Sequence, residues 1–283
     1  TMALKFARQA ALVTGANRGI GLEVARQLLQ GGVESVTVCA RQLEDAEEAK
    51  RSLEEEGGGR VHAVQLDVSD GASLGSVWGA EKYDVLVNNA GCFEDGWDDE
   101  VWERVMQTNF LGPVFIMKMA LAGRAFQPGG HIINVSSGYG MLDKLPEDLR
   151  ERIETLVRKK DLDGILAVSS DREACSTLPS FAAEMARANV EENLRKGGPL
   201  IPQGGGYPVH KLSKCLLNAA TRVIGASGAA VEKGVRLDCV CPGWVRTRMG
   251  TEAAPRGVKE GAASVLAPLA CPWPDGGEAV RFS

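Results

Sequence analysis

The sequence predicts a doubly wound α/β domain: a parallel sheet of about seven strands with helices on both faces. Three observations carry this expectation. Short apolar, β-branched runs alternate with amphipathic helical patterns. A glycine-rich turn joins the first such run to the first helix. A chain of 283 residues that is 44% hydrophobic and 24% charged can build one sizeable core. Strands that alternate with helices return to the sheet by right-handed crossovers, and so lie parallel.

The expected strands are Ala10–Val13, Ser35–Ala40, Val61–Leu66, Asp84–Asn88, His131–Val135 and Val235–Val240, with a short last one near Ala279–Phe282. The expected helices are Leu22–Gly31, Leu43–Glu56, Ala72–Ala80, Asp98–Thr108 continuing through Ala122, and Pro208–Ser227. After Ser137 the alternation stops. Leu145–Lys160 and Leu178–Lys196 read as helices, and glycines at 197–198 and 204–206 close the stretch. One domain spanning 1–283 with a helical insertion at about 138–206 follows, and its charged residues are expected to form a solvated face.

Composition narrows the function. The net charge of −5 argues against a general nucleic-acid binder. No apolar stretch in the sequence reads as a membrane span. Thr1–Arg8 lacks a secretory apolar core, so a cytoplasmic setting is expected, with a cleaved transit peptide as the alternative. Seven cysteines, an odd number, do not read as a disulfide framework. The three histidines, His62, His131 and His210, lack metal-site spacing with cysteine or acidic partners, so no metal is expected.

The turn Thr14-Gly15-Ala16-Asn17-Arg18-Gly19-Ile20-Gly21 follows the first strand and opens a helix. A helix N-terminus offers unpaired N–H groups and a partial positive charge, and glycines let a pyrophosphate approach the backbone. A glycine turn alone could be only a tight connection; the strand before it and the helix after it favour dinucleotide binding, the Rossmann-type arrangement. The turn residues Gly15, Asn17, Arg18, Gly19, Ile20 and Gly21 are the expected contacts. About 20 residues further on, where an acid would take the ribose 2′-hydroxyl of NAD, stands Arg41. Arg41 and Arg18 suit a 2′-phosphate, which selects NADP(H) over NAD(H).

Further motifs follow in order: Leu66-Asp67-Val68, Asn88-Asn89-Ala90-Gly91, Asn109, Asn134-Val135-Ser136-Ser137, Tyr207-x-x-x-Lys211 and Pro242-Gly243-Trp244-Val245-Arg246-Thr247. In this order, from about residue 8 to 250, the chain resembles the short-chain dehydrogenases/reductases. The long interval between Ser137 and Tyr207 resembles their monomeric carbonyl-reductase branch, which includes menthone- and salutaridine-type reductases.

The resemblance implies NADPH-dependent reduction of a carbonyl to an alcohol. Tyr207 would donate the proton. Its free pKa, near about 10, suits neutral pH poorly, and a lysine one turn away can lower it. Lys211, at i+4, would do so and hold the nicotinamide ribose. Ser137 would hydrogen-bond the substrate oxygen, and Asn109 would fix a helix bend and a water in the proton chain. Asp67 and the Val68 backbone would take the adenine. Asn89 and Gly91 would line the ribose side. Pro242, Gly243, Val245 and Thr247 would wrap the nicotinamide.

Each feature also has a plainer meaning. Tyr-x-x-x-Lys alone is a common surface pair, Asn109 alone a structural hydrogen-bonder, and Ser136 the structural member of its pair. Phe93, Trp97, Tyr139, Met141, Trp244 and Met249 are either core or an apolar pocket for a bulky ketone, aldehyde or quinone. The insertion is expected to form one pocket wall and to cover the helices through which relatives dimerise, leaving a monomer. Oxidation of a terpenoid- or steroid-like alcohol with NADP+, or NADP(H) binding without turnover, are the alternative readings.

Overall fold

The computed structural model describes residues 9–56, 59–78, 82–123, 125–195, 206–270 and 280–282. Seven strands form one parallel sheet in the order β3-β2-β1-β4-β5-β6-β7. They are β1 Ala10–Val13, β2 Ser35–Ala40, β3 Arg60–Gln65, β4 Tyr83–Asn88, β5 Phe126–Val135, β6 Arg236–Val240 and β7 Val280–Phe282. The chain winds outward from β1 to β3, then crosses back to start β4 beside β1. That reversal is the topological switch point, where such sheets open a crevice at the carboxyl ends of their strands.

Most strands are apolar on both faces, as a sheet covered twice requires. Val36 and Val38 of β2, Val85 and Val87 of β4, and Ile133 of β5 face one layer, formed by α1 (Gly19–Gln30), α2 (Leu43–Glu55) and α10 (Val258–Ala270). Leu12, Leu86, Ile132 and Leu237 face the other, which includes α3 (Asp99–Met106), α4 (Gly112–Ala122) and α8 (Pro208–Gly225). The remaining helices are α5 (Glu147–Arg158), α6 (Leu162–Val168), α7 (Leu178–Arg195) and the short α9 (Gly228–Lys233).

Several expectations need correction. The helix expected over Ala72–Ala80 is only a 3-10 turn, Ser73–Val77; Gly71 and Gly75 weaken an α-helix there, and residues 79 and 80 lie outside the described part. α6, α9 and α10 were not anticipated. α10 carries Pro268 inside it and follows Pro255, which masks its helical period. β5 begins at Phe126 rather than His131, because its pairing with β4 shifts register between Tyr83 and Val85. α1 begins at Gly19, so its first turn contains two of the turn glycines. The N-terminal octapeptide, glycines 197–198 and 204–205, Cys271 and Ala279 lie outside the described residues.

The run Asp99–Ala122 is long and apolar enough to cross a membrane by length and composition, which the sequence reading did not expect. Its Val105, Phe110, Val114, Ile116 and Met117 are fully buried in the core, so packing accounts for its apolar character. It is not one regular helix. A π-helical turn, Gln107–Leu111, separates α3 from α4 and contains Asn109.

Where β6 starts against the middle of β5, a buried charged group joins the two strands. Asp238 Oδ2 accepts from Arg236 Nε at 2.8 Å and lies 2.5 Å from His131 Nε2. Burial opposes ionisation of Asp238, but the His131 hydrogen bond and the Arg236 charge outweigh it and hold the carboxyl below its usual range. Burial holds His131 below its ordinary value, so the group is a neutral imidazole beside an Arg–Asp pair. A depressed carboxyl contributes stability above its unfolded value near about 4 and loses it as pH falls through the folded one; a depressed histidine loses stability below about 6.5. Both act in the same direction. Asp238→Ala is expected to cost about 3–5 kcal/mol in urea unfolding at pH 7, by stranding Arg236, with the loss persisting down to about pH 4 and shrinking only below it, as the wild-type carboxyl is protonated.

Candidate active site

The glycine turn is pinned to the carboxyl end of β4. Thr14 Oγ1 accepts the backbone N–H groups of Asn89 and Ala90, each at 3.0 Å. In return Asn89 Nδ2 donates to Thr14 O at 2.9 Å and Gly15 O at 3.0 Å. The Asn89 amide therefore holds the turn, rather than simply lining a ribose pocket. Gly15 (φ +61°) and Gly19 (φ +56°) adopt left-handed backbone that favours glycine. A Cβ on Gly21 would lie 2.4 Å from both Asn89 Nδ2 and Gly15 O. Arg18 is the N-cap of α1, and no side chain caps that end. Open N–H donors on a glycine turn at the switch point fit a dinucleotide pyrophosphate.

Arg18 and Arg41, at the ends of the turn and of β2, are both exposed. Asn17 Nδ2 is instead bonded to Asp45 of α2 at 3.4 Å. Asp67 closes a local turn through Ser69, with its Oδ1 accepting from the Ser69 hydroxyl at 2.6 Å. The Val68 carbonyl packs so closely on Gly112 that a Cβ there would sit 2.2 Å away. The segment from Pro242 to Thr247 folds back over the turn. The Thr247 methyl would lie 3.5 Å from a Cβ on Gly19, Val245 is buried, and Gly243 (φ +81°) leaves room for Arg256, which donates to Pro242 O at 2.8 Å.

Beside the turn lies a second cluster. Asn109 is fully buried; its Oδ1 accepts from Cys92 N at 2.8 Å and its Nδ2 donates to Cys92 O at 2.9 Å. The same Nδ2 is 3.4 Å from His210 Nδ1 and 3.3 Å from Ser213 Oγ. A Cβ on Gly91 would come within 3.3 Å of Asn109 Oδ1 and 3.9 Å of Lys214 Nζ. Lys214 Nζ donates to Val135 O at 2.8 Å, at the end of β5. Ser137 follows two residues later, and its Oγ accepts from Tyr139 N at 3.1 Å. Ser136 is occupied by Asn218, at 2.7 Å.

The expected pair Tyr207 and Lys211 stands on a neighbouring stripe of α8. Tyr207 has φ +54°, donates its N–H to Asp95 at 3.1 Å, and lays its ring on Phe93 with centroids 4.1 Å apart. Lys211 Nζ lies over the Tyr139 ring at 5.5 Å, and the charges acting on it are those of Lys144 and Asp95. The structure thus brings Asn109 to His210, Ser213 and Lys214, and not to Lys211. The reason is helical: a shift of three residues turns a side chain by about 60° and moves it about 4.5 Å along the axis. His210-x-x-x-Lys214 has the same i, i+4 spacing as Tyr207-x-x-x-Lys211, so the motif alone does not distinguish them. His210, Lys214, Asn218 and Thr221 form a polar stripe on α8 that bonds to Asn109 and to the ends of the sheet.

Phe93, Tyr139, Tyr207 and His210 form an aromatic cluster next to Ser137. Met141, Trp244 and Met249 are among the exposed apolar residues. Trp97 packs instead on Trp102 and under Arg172, which makes it a support for α3.

A pyrophosphate-ready turn at the switch point, with titratable and hydroxyl side chains at the neighbouring strand ends, defines a dinucleotide-dependent enzyme of the Rossmann type. The comparisons narrow the class. Residues 9–146 match the family model described as short chain dehydrogenase. Short-chain dehydrogenase/reductase 1 of Saponaria officinalis is 31% identical, over 93% of this chain and 91% of that protein. Carbonyl reductase [NADPH] 3 of Rattus norvegicus is 32% identical, over 89% of this chain and 87% of its own. Salutaridine reductase from Papaver somniferum superposes with a TM-score of 0.73 at 26% identity, covering 97% and 99% of the two chains. The chain belongs to the short-chain dehydrogenase/reductase family, oxidoreductases that use a nicotinamide cofactor.

Gly21→Ala places its methyl inside the Asn89–Gly15 contact. It is expected to lower the melting temperature by several degrees and to weaken binding of the nicotinamide cofactor at least tenfold in a fluorescence titration.

Proposed function

We propose that the protein reduces a carbonyl group on a bulky, largely apolar molecule to an alcohol, with NADPH as reductant. The observation that carries this reading is the aromatic cluster of Phe93, Tyr139, Tyr207 and His210 set beside Ser137, at the carboxyl ends of strands that also hold the glycine turn. Aromatic walls suit a ketone, aldehyde or quinone with a flat apolar body, and Ser137 and α8 supply the polar groups a carbonyl oxygen needs. The carbonyl-reductase relatives and the (+)-neomenthol dehydrogenase of Arabidopsis thaliana, 30% identical over 90% of this chain, support the same chemistry.

When bound, the cofactor supplies a hydride to the carbonyl carbon. The protein's part is to hold both partners and to manage charge on the oxygen. Gly15, Gly19, Ile20 and Gly21 offer backbone N–H groups to the pyrophosphate. Arg18 and Arg41 pair with a 2′-phosphate, while Asp67, Val68, Asn89 and Gly91 shape the adenosine and ribose side. Pro242, Gly243, Val245 and Thr247 cover the nicotinamide side. The Ser137 hydroxyl steadies the oxygen as negative charge develops, and α8 provides the proton.

The insertion supports a monomer. Trp102 of α3 donates to Ser169 O at 3.0 Å, and every residue of α8 except Asn218 and Arg222 is buried. Light scattering is expected to give the mass of one chain; a dimer mass would refute this.

Absorbance at 340 nm tests the reaction, with an aromatic aldehyde, a cyclic dione, a quinone and a cyclic terpenoid ketone as substrates. Turnover with NADPH is expected to exceed that with NADH at least tenfold, and the double variant Arg18→Ala/Arg41→Ala to lose most of this preference. Tight NADPH binding with no turnover on any substrate would favour a binding protein instead.

A further inference from the structure

We propose that His210 and Lys214, rather than Tyr207 and Lys211, form the acid–base pair of this site: Lys214 anchors the nicotinamide ribose and supplies the proton, and His210 hydrogen-bonds the carbonyl oxygen. The proposal rests on the reading of the site as a carbonyl-reducing one.

Helix α8 shows two stripes with different surroundings. His210, Lys214, Asn218 and Thr221, at successive turns, each bond to the ends of the sheet or to residues that follow them. His210 meets Asn109 and the Cys92 carbonyl, Lys214 the Val135 carbonyl, Asn218 the Ser136 hydroxyl, and Thr221 the Asn134 amide. Tyr207, Lys211 and Cys215 face the segment 139–144 instead; Cys215 Sγ donates to the carbonyls of Tyr139 and Met141. Only the first stripe reaches the strand ends where a cofactor on the glycine turn would extend.

Lys214 is almost wholly buried and stands between Gly91 after β4 and Val135 at the end of β5. The titratable groups acting on it are the thiols of Cys92, Cys239 and Cys241, with His210 one turn back on its own helix. A buried ammonium that packing alone would not select is a functional candidate. It has three donors, and Val135 O takes one, which leaves two for ribose hydroxyls and for a proton to give away. Burial pushes its pKa down to about 8, close to working pH.

His210 is buried as well. Burial first, then the charge of Lys214, lowers its pKa to about 3, so it stays a neutral imidazole. Nδ1 lies 3.4 Å from the Asn109 amide nitrogen and 3.3 Å from the Cys92 carbonyl oxygen; for His210 to donate to a substrate carbonyl oxygen, Nδ1 must accept from Asn109 and the ring hydrogen must sit on Nε2. A neutral imidazole can polarise a carbonyl in this way, and the net proton must then come from Lys214. The balance is simple. The carbon gains a C–H bond and two electrons from the reduced nicotinamide, which is oxidised. The C=O π pair becomes an oxygen lone pair and takes one proton from the Lys214 ammonium. The neutral amine left behind is reprotonated from water.

NADPH binding, followed by the fluorescence of the bound cofactor, is read first because it needs no substrate. Lys214→Met is expected to weaken NADPH at least tenfold, and Lys211→Met less than threefold. Equal losses, or the reverse order, overturn the assignment. Lys214→Met removes a buried charge, so its melting temperature should not fall; should it fail to fold, Lys214→Arg, which keeps a cation but not a labile proton, is expected to bind NADPH within threefold and to lose at least 100-fold in kcat. On a carbonyl that the wild type reduces, the kcat loss in His210→Gln is expected to exceed that in Tyr207→Phe by tenfold or more. Wild-type kcat should decline above about pH 8, as the acid loses its proton, and Lys214→Arg should lack that limb. A larger loss in Tyr207→Phe overturns the pair. Lys214-dependent binding without turnover on any carbonyl supports the ribose anchor and overturns the acid–base role together with the functional reading.

Discussion

The reciprocal bonding of Thr14 and Asn89 is the constraint on which the rest of the site depends. Two adjacent strands, β1 and β4, end at the switch point, and each would otherwise leave backbone groups unpaired there. The Thr14 hydroxyl takes two N–H groups from the β4 end, and the Asn89 amide takes two carbonyls from the β1 end. Four backbone groups are satisfied by two side chains, without any helix cap on α1. The N–H groups of that helix are thereby left facing the crevice.

From that junction the site spreads along the carboxyl edge of the sheet. Gly91 follows directly after Asn89 and Ala90, and its lack of a side chain lets Asn109 and Lys214 approach from the helices of one face. Deeper in, a buried polar chain runs from Asn88 to Asn134, then to Thr221 and Cys239. It ties β4, β5 and β6 to α8 at one height. Buried polar groups are costly to strand, so a chain that pairs most of them, with Asn88 Oδ1 left over, favours one register between helix and sheet and penalises others. The same register sets where Lys214 lies.

Much of this was legible in the sequence. β1 and β2 match their expected bounds, because each is a short, mostly apolar run buried in the sheet and cut off by glycine or polar residues. The glycine turn, Asn109 and Ser137 could be singled out because each belongs to a series of motifs in fixed order along the chain. What sequence concealed was rotational. The Tyr207 and His210 pairs have equal spacing, and choosing between them requires the angle of α8, which tertiary contacts set. Ala72–Ala80 failed for the opposite reason: apolar spacing suggested a helix, but Ser73, Gly75 and Ser76 favour a tight turn, and the Ser73 hydroxyl oxygen accepts the backbone N–H of Asp67 at 3.0 Å.

The π-helical turn at Gln107–Leu111 acts as a one-residue surplus in an otherwise regular helix. With α-helical bonding throughout, the apolar face of α4 and that of α3 would be out of phase by about 100°. The surplus lets Val101, Val105, Phe110, Val114 and Met117 all face the core while Asn109 turns toward Cys92. Sequence length and site geometry are therefore coupled here. Deleting one residue between 107 and 111 would restore regular α-helical bonding and still rotate the asparagine out of reach, so the length of this segment, and not only its composition, is fixed by the site.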